Sequence, residues 1–168
     1  MVRRVSWPNL NAKQDADIRM LVQEILKLKG NVLYTTHSGA SLSEAVAALT
    51  EHDAGSLVVM DAGEMTGLIT FREVLQAVGK TKGDLSAMTV SDFKVDQPVV
   101  ARPDMPIEAV RELLVNHHQR YVPVMDGKVL MGVVSFMDVA KAVLEEQGFE
   151  NRMLKNFIKN WPEENGND

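Results

Sequence analysis

The 168-residue chain contains no cysteine. Disulfides, thiolate metal sites and cysteine nucleophiles are excluded, and the absence fits a reducing compartment. Aromatic residues make up only 5% of the chain, so its core must be aliphatic. No stretch approaches the roughly 20 apolar residues that cross a bilayer. The N-terminal Met-Val-Arg-Arg-Val-Ser-Trp-Pro carries two arginines but no apolar run of signal-peptide length. A cytoplasmic protein with no membrane partner is expected. Positive charge is the minority sign, with a formal net charge of −5, which argues against sequence-independent nucleic-acid binding. The chain also lacks a Gly-rich phosphate loop, catalytic-triad spacing and a cluster of metal ligands. His117 and His118 are neighbours in sequence and do not face each other on a helix. His37 and His52 read as surface residues. No enzyme activity, metal or required cofactor is expected.

What the chain does contain is regular patterning. Ile18, Leu21, Val22, Ile25 and Leu28 recur at helical spacing between Asp15 and Lys29, and Gly30 stops the run. Val32–Thr35 reads as a strand. Ser41-Leu-Ser-Glu44 is a capping box opening a helix with Leu42, Ala45, Val46 and Leu49 on one face. Leu57–Met60 reads as a strand buried on both faces, and Met65–Ile69 as its return strand. A helix from Thr70 to Val78 is expected to end at Gly79. After a polar linker at residues 80–84 the order recurs. Val90–Phe93 is a short anchored segment, Val99–Ala101 a strand and Met105–His117 a helix. Tyr121–Met125 and Val129–Val134 form a hairpin around Asp126-Gly127, and Phe136–Glu146 is the next helix. Beyond Gly148, Phe149, Met153, Phe157, Ile158 and Trp161 share one face of a further amphipathic helix.

The recurrence is a duplication. Residues 56–78 align without a gap on residues 121–143, with eight of 23 positions identical. Upstream, Glu44-Ala-Val46 falls on Glu108-Ala-Val110. Each unit has about 60 residues, too few to bury a comfortable core alone. The expected fold is α/β (α+β): two β-α-β-β-α units packed about a pseudo-two-fold axis, plus N-terminal and C-terminal helices. The expected division is an irregular N-terminus over 1–15, a first unit with its leading helix over 16–84, a second unit over 85–147, and a C-terminal helix and tail over 148–168. Such packing creates two related clefts, each lined by strand ends and a helix N-terminus, whose free amides favour anions.

Two phrases mark these junctions, Gly67-Leu-Ile-Thr-Phe-Arg-Glu73 and Gly132-Val-Val-Ser-Phe-Met-Asp138. With Ser56-Leu-Val-Val-Met-Asp61 and Arg120-Tyr-Val-Pro-Val-Met-Asp126, at this spacing and over about residues 18–160, they resemble a tandem pair of CBS domains (a Bateman module). The likeness is to small stand-alone bacterial proteins of this kind. The resemblance implies a non-catalytic regulatory module. Its ligand would be adenosine-containing: AMP, ADP, ATP, an NAD-type dinucleotide or S-adenosylmethionine. The implied pattern is Gly-apolar-apolar-Thr/Ser-x-x-Asp, with the carboxylate on the ribose hydroxyls. The residue chemistry agrees, because a carboxylate has two acceptor oxygens for the two donors of a cis-diol.

The second copy matches the pattern in full. The main site is expected around Asp138, Ser135, Val133, Arg120, Gly30, Asn31, Val32, Ser56 and Leu57. The first copy has Glu73 in place of Asp, so a weaker site is expected around Thr70, Glu73, Arg72, Leu68, Tyr121, Val122, Pro98 and Val99. Arg72 and Arg120 are candidate phosphate partners. The plain alternative for both phrases is helix capping, and the corresponding alternative function is a constitutive dimerisation scaffold with decayed sites. The resemblance also implies a homodimer, with the apolar face of the last helix as the expected contact, and a partner protein that receives the signal.

Overall fold

The structure, a computed structural model, describes residues 19–30 and 32–159. The expectations for residues 1–18, Asn31 and Trp161 therefore lie outside the described residues. The elements run α1 (Val22–Lys29), β1 (Thr35–Thr36), α2 (Leu42–Glu51), β2 (Ser56–Asp61), β3 (Glu64–Thr70) and α3 (Phe71–Thr81). After a single 3-10 turn at Val90–Asp92 come α4 (Ile107–Asn116), β4 (Tyr121–Asp126), β5 (Val129–Ser135) and α5 (Phe136–Lys159).

The duplication is exact to the hydrogen bond in places. The β2–β3 hairpin is irregular between Val59 and Met60, and the β4–β5 hairpin between Val124 and Met125, the same position in each repeat. Thr36 pairs in parallel with Val59, and Ala101 bridges in parallel to Val124. The first sheet therefore has three strands. In the second, the expected Val99–Ala101 strand shrinks to that one bridge beside β4–β5. The expected Val32–Thr35 strand is likewise realised as Thr35–Thr36, one residue beyond its predicted end.

Two helix ends differ from the sequence reading. α3 passes through Gly79 and stops at Lys82, which takes the left-handed conformation (φ 55°) and donates its N–H to Val78. α5 passes through Gly148, so the two helices expected on either side of it are one helix of 24 residues. A glycine inside a helix costs only about 1 kcal/mol relative to alanine. It ends a helix where its backbone leaves the helical region for a positive φ that side chains disfavour, as Gly30 does with φ 81°.

The two hydrophobic cores are assembled by exchange. One gathers Leu42, Leu49, Leu57, Val59 and Ile69 from the first repeat, together with Val90 from beyond the linker. The other gathers Ile107, Leu114, Val122, Val124 and Val134, together with Val22 and Ile25 from α1. Main-chain bonds repeat the exchange. Val22 donates to the Met105 carbonyl and Ile107 to that of Met20. Their counterparts run from Val90 to Ala40 and from Leu42 to Met88. Each repeat is closed by the segment that precedes the other in sequence.

The exchanged segments press on the glycine repeated in each hairpin. A Cβ on Gly67 would lie 2.6 Å from the Val95 carbonyl oxygen, and one on Gly132 would lie 2.9 Å from Leu26 Cδ2. Val95 is fixed by two main-chain bonds to Leu68, whereas the end of a leucine side chain can swing away. Gly67→Ala is expected to destabilise the protein by about 1–3 kcal/mol and Gly132→Ala by less than about 1 kcal/mol, judged from the ordinary range for overpacking. Urea unfolding of the two variants side by side measures the difference.

Asp61 closes the far end of the first hairpin. It accepts from the Ser38 N–H (2.9 Å), the Ser38 hydroxyl (2.5 Å) and the Thr66 hydroxyl. The Ser38 hydroxyl, then Thr66 and the Ser38 amide, lower its pKa from 3.8 to about 2. The folded state therefore holds the charged form more firmly than the unfolded chain does. Its contribution is complete above pH 3.8 and is lost as the pH falls through about 2. In Ser38→Ala the Asp61 carboxyl is expected to titrate closer to 3.8, read by carboxyl-carbon NMR.

Candidate functional site

β5 delivers Ser135 to the start of α5, and the two elements meet at an N-terminal capping pair. The Asp138 Oδ2 accepts from the Ser135 N–H (2.8 Å), and the Ser135 Oγ accepts from the Asp138 N–H (3.1 Å). α1 ends above this junction. Lys29 Nζ donates to Asp138 Oδ2 at 2.8 Å and to the Val133 carbonyl at 3.2 Å. Burial pushes the Asp138 carboxyl up, but the hydrogen bonds from Lys29 and Ser135 and the lysine charge outweigh it and leave it below its ordinary value.

Beside this junction a cleft of about 980 Å³ opens between the repeats. The first repeat contributes residues 32–34 and 53–56. The second contributes the end of α4, residues 118–121, Val133 and Ser135–Met137. Of the residues expected at the main site, Val32, Ser56, Arg120, Val133 and Ser135 line it. Asp138 stands behind Ser135, coupled to the cleft through Lys29. Gly30 adjoins Lys29 but is not part of the wall, and Asn31 lies outside the described residues. Leu57 is a correction: it is fully buried in the first core, because alternate residues of β2 face opposite sides and Leu57 points inward while Ser56 does not.

The weaker site is rearranged. Glu73 is buried and accepts from the Thr70 N–H (2.9 Å) and the Thr70 hydroxyl (2.5 Å). It caps its own helix as Asp138 does, and accepts in addition from the Thr70 hydroxyl. Leu68 is covered by Val95 through two main-chain bonds. Val122 is fully buried in the second core. Pro98 is buried, Val99 half-buried and Arg72 exposed. Tyr121, expected here, lines the main cleft instead. Its hydroxyl crosses to the first repeat, where a Cβ on Gly55 would lie 1.7 Å from it. The structure thus does not gather these eight residues around one opening.

Sequence reasoning missed several residues of the cleft wall. Tyr34 lines it with its ring stacked on His52 at 4.4 Å. Lys29 had read only as the end of a helix. Gln119 follows His118, whose left-handed backbone (φ 51°) ends α4. The Gln119 Oε1 is buried with no hydrogen-bond partner. A buried acceptor left unmade costs about 1–3 kcal/mol, and this one adjoins the cleft. No sequence signal marks it. Among the described residues there is no cluster of three or more potential metal ligands, and no helix is long and apolar enough to cross a membrane.

Two interlocked repeats around a shared cleft, with hydroxyl and carboxylate at a strand–helix junction, define a tandem-repeat module. The chain belongs to the CBS domain family, whose model matches residues 17–80 and 90–145. It is 30% identical over 120 residues to an A-adding tRNA nucleotidyltransferase of Geobacter sulfurreducens; that match covers 71% of this chain and 13% of that protein. A CBS-domain containing protein from Agrobacterium tumefaciens superposes with a TM-score of 0.70 at 29% identity, over 73% of this chain and 98% of its own. A CBS domain pair solved in complex with 5′-methylthioadenosine and S-adenosyl-L-methionine superposes with a TM-score of 0.68 at 25% identity, over 76% of this chain and 98% of its own.

Proposed function

We propose that this CBS-domain pair is a non-catalytic regulatory module that binds an adenosine-containing ligand in the cleft beside Ser135 and Asp138. The observation that carries the reading is the cleft itself. Its volume of about 980 Å³ lies within the range of small-molecule sites, about 300–1,000 Å³. Both repeats contribute to its wall, so an occupant touches both and can bias their relative arrangement by its differential affinity. The complex of the related pair with two adenosyl compounds points to the same ligand class. Calorimetric titration with AMP, ADP, ATP, NADH and S-adenosylmethionine tests the reading; no binding by any of them up to millimolar concentration would overturn it.

The output passes to a partner protein, through an assembly in which two copies pair along the exposed apolar side of α5. Leu154 and Ile158, one turn apart, are each more than half exposed there. Light scattering on the purified chain and on a Leu154→Glu, Ile158→Glu variant tests the dimer. The second reading, a scaffold with decayed sites, draws on the fact that Glu73 is consumed by its helix cap and that Asp138 already has Lys29 as a counter-ion. Dimerisation without any nucleotide response would favour it.

A further inference from the structure

Lys29 bonds the capping carboxylate of the second repeat, whereas Lys94, on the exchanged segment of the first repeat, bonds the Thr66 carbonyl and Asp96 and not Glu73. Val22 and Val90 occupy equivalent places in the two cores, but α1 runs on to Lys29 while the segment after Val90 makes a single 3-10 turn ending at Asp92. The extra turn carries the Lys29 ammonium into the cleft wall. There it bonds Asp138 Oδ2 and the Val133 carbonyl. The carboxylate offered to a ribose is therefore occupied by a cation belonging to the chain itself.

We propose that Lys29 is a specificity latch, which makes this cleft take nucleoside 5′-phosphates and disfavour adenosyl ligands that carry no phosphate. The inference rests on the adenosine-ligand reading above and narrows it. A cis-diol approaching Asp138 has two donors, and Oδ2 already accepts from both Lys29 and the Ser135 N–H. Oδ1 is left to accept one hydroxyl, and seating the second on Oδ2 displaces the ammonium. The Lys29 side chain is 38% exposed, so the displaced ammonium keeps its water, and an anion seated beside it adds a charge-assisted contact. A phosphate on the ribose 5′-carbon brings one, next to the Ser135 hydroxyl. A neutral nucleoside brings none, and the sulfonium of S-adenosylmethionine adds like charge. Arg120 and His118 also line the cleft, and Asp53 is the acidic residue that opposes them there. Nucleotide and latch exchange partners, so opening is coupled to phosphate binding.

The test is calorimetry on the full chain with adenosine, 5′-methylthioadenosine, S-adenosylmethionine, AMP and ATP, for the native protein, Lys29→Met and Lys29→Arg. The native protein is expected to prefer the phosphorylated ligands by about tenfold or more, since a charge-assisted contact is gained with one class and lost with the other. In Lys29→Met the preference should collapse to within about threefold, with adenosine binding more tightly and ATP less tightly than in the native protein. Lys29→Arg keeps the cation and should keep the preference; it also guards against a misfolded Lys29→Met. A preference unchanged in Lys29→Met overturns the latch and leaves the adenosine reading standing. If the native protein and both variants bind none of the five, both fall.

Discussion

Val22→Asp should unfold the second repeat although Val22 precedes the first. Val22 is completely buried among Ile107, Val110, Val124 and Val134, and an aspartate there has no cationic partner within that aliphatic core. A buried unpaired charge belongs to the small set of changes that destabilise by more than about 3 kcal/mol. Native-state hydrogen exchange is expected to show protection falling first in α4, β4 and β5, with β2 and β3 keeping theirs at low denaturant. Val90→Asp should do the reverse, because Val90 completes the first core. If Val22→Asp instead exposed β2 and β3 first, the exchanged packing would be wrong.

Asp138→Ala and Glu73→Ala should separate binding from stability, though the two carboxylates occupy equivalent positions. Asp138 sits at the cleft with Lys29 as counter-ion and its side chain 21% exposed. Its loss removes a charged acceptor, for which hydrogen bonds run about 1.5–3 kcal/mol, so affinity for an adenosyl ligand should fall about ten- to a hundredfold. Stability should fall by only about 1 kcal/mol, the ordinary worth of a cap. Glu73 is 6% exposed and spends its carboxylate on Thr70. Glu73→Ala should destabilise by about 2 kcal/mol while changing ligand affinity less than about threefold. Paired thermal unfolding and calorimetry on both variants decide this. Equal losses of affinity would mean that the site at Glu73 is as real as the one at Asp138.

Much of the main site was legible because its signals are local. Ser135 and Asp138 lie three residues apart at a strand–helix junction, and the duplicated phrase at Thr70–Glu73 draws attention to both. Val133 and Ser135 share one face of β5, so period-two alternation places them together. The resemblance places Leu57 and Val122 at the clefts, whereas the alternation of β2 and β4 turns both into the cores. Lys29 and Gln119 were invisible for a different reason. Each matters through a long-range relation, Lys29 to Asp138 and Gln119 to the absence of any partner, and no periodicity encodes either.

The sequence alone determined the order of elements, the duplication and the two strand–helix junctions. These follow from local propensities and a repeat that can be counted. Two helix ends escaped it, since Gly79 and Gly148 differ from Gly30 only in backbone angle, and that angle depends on what packs against the helix. Tertiary structure alone decided which segment closes which repeat. α1 and the Val90 turn are each compatible with either core by composition; the main-chain bonds of Val22 to Met105 and of Val90 to Ala40 select the exchanged partner. That choice carries Lys29 over Asp138 and puts a cation at one of two equivalent capping carboxylates, while Glu73 at the other is buried against Thr70.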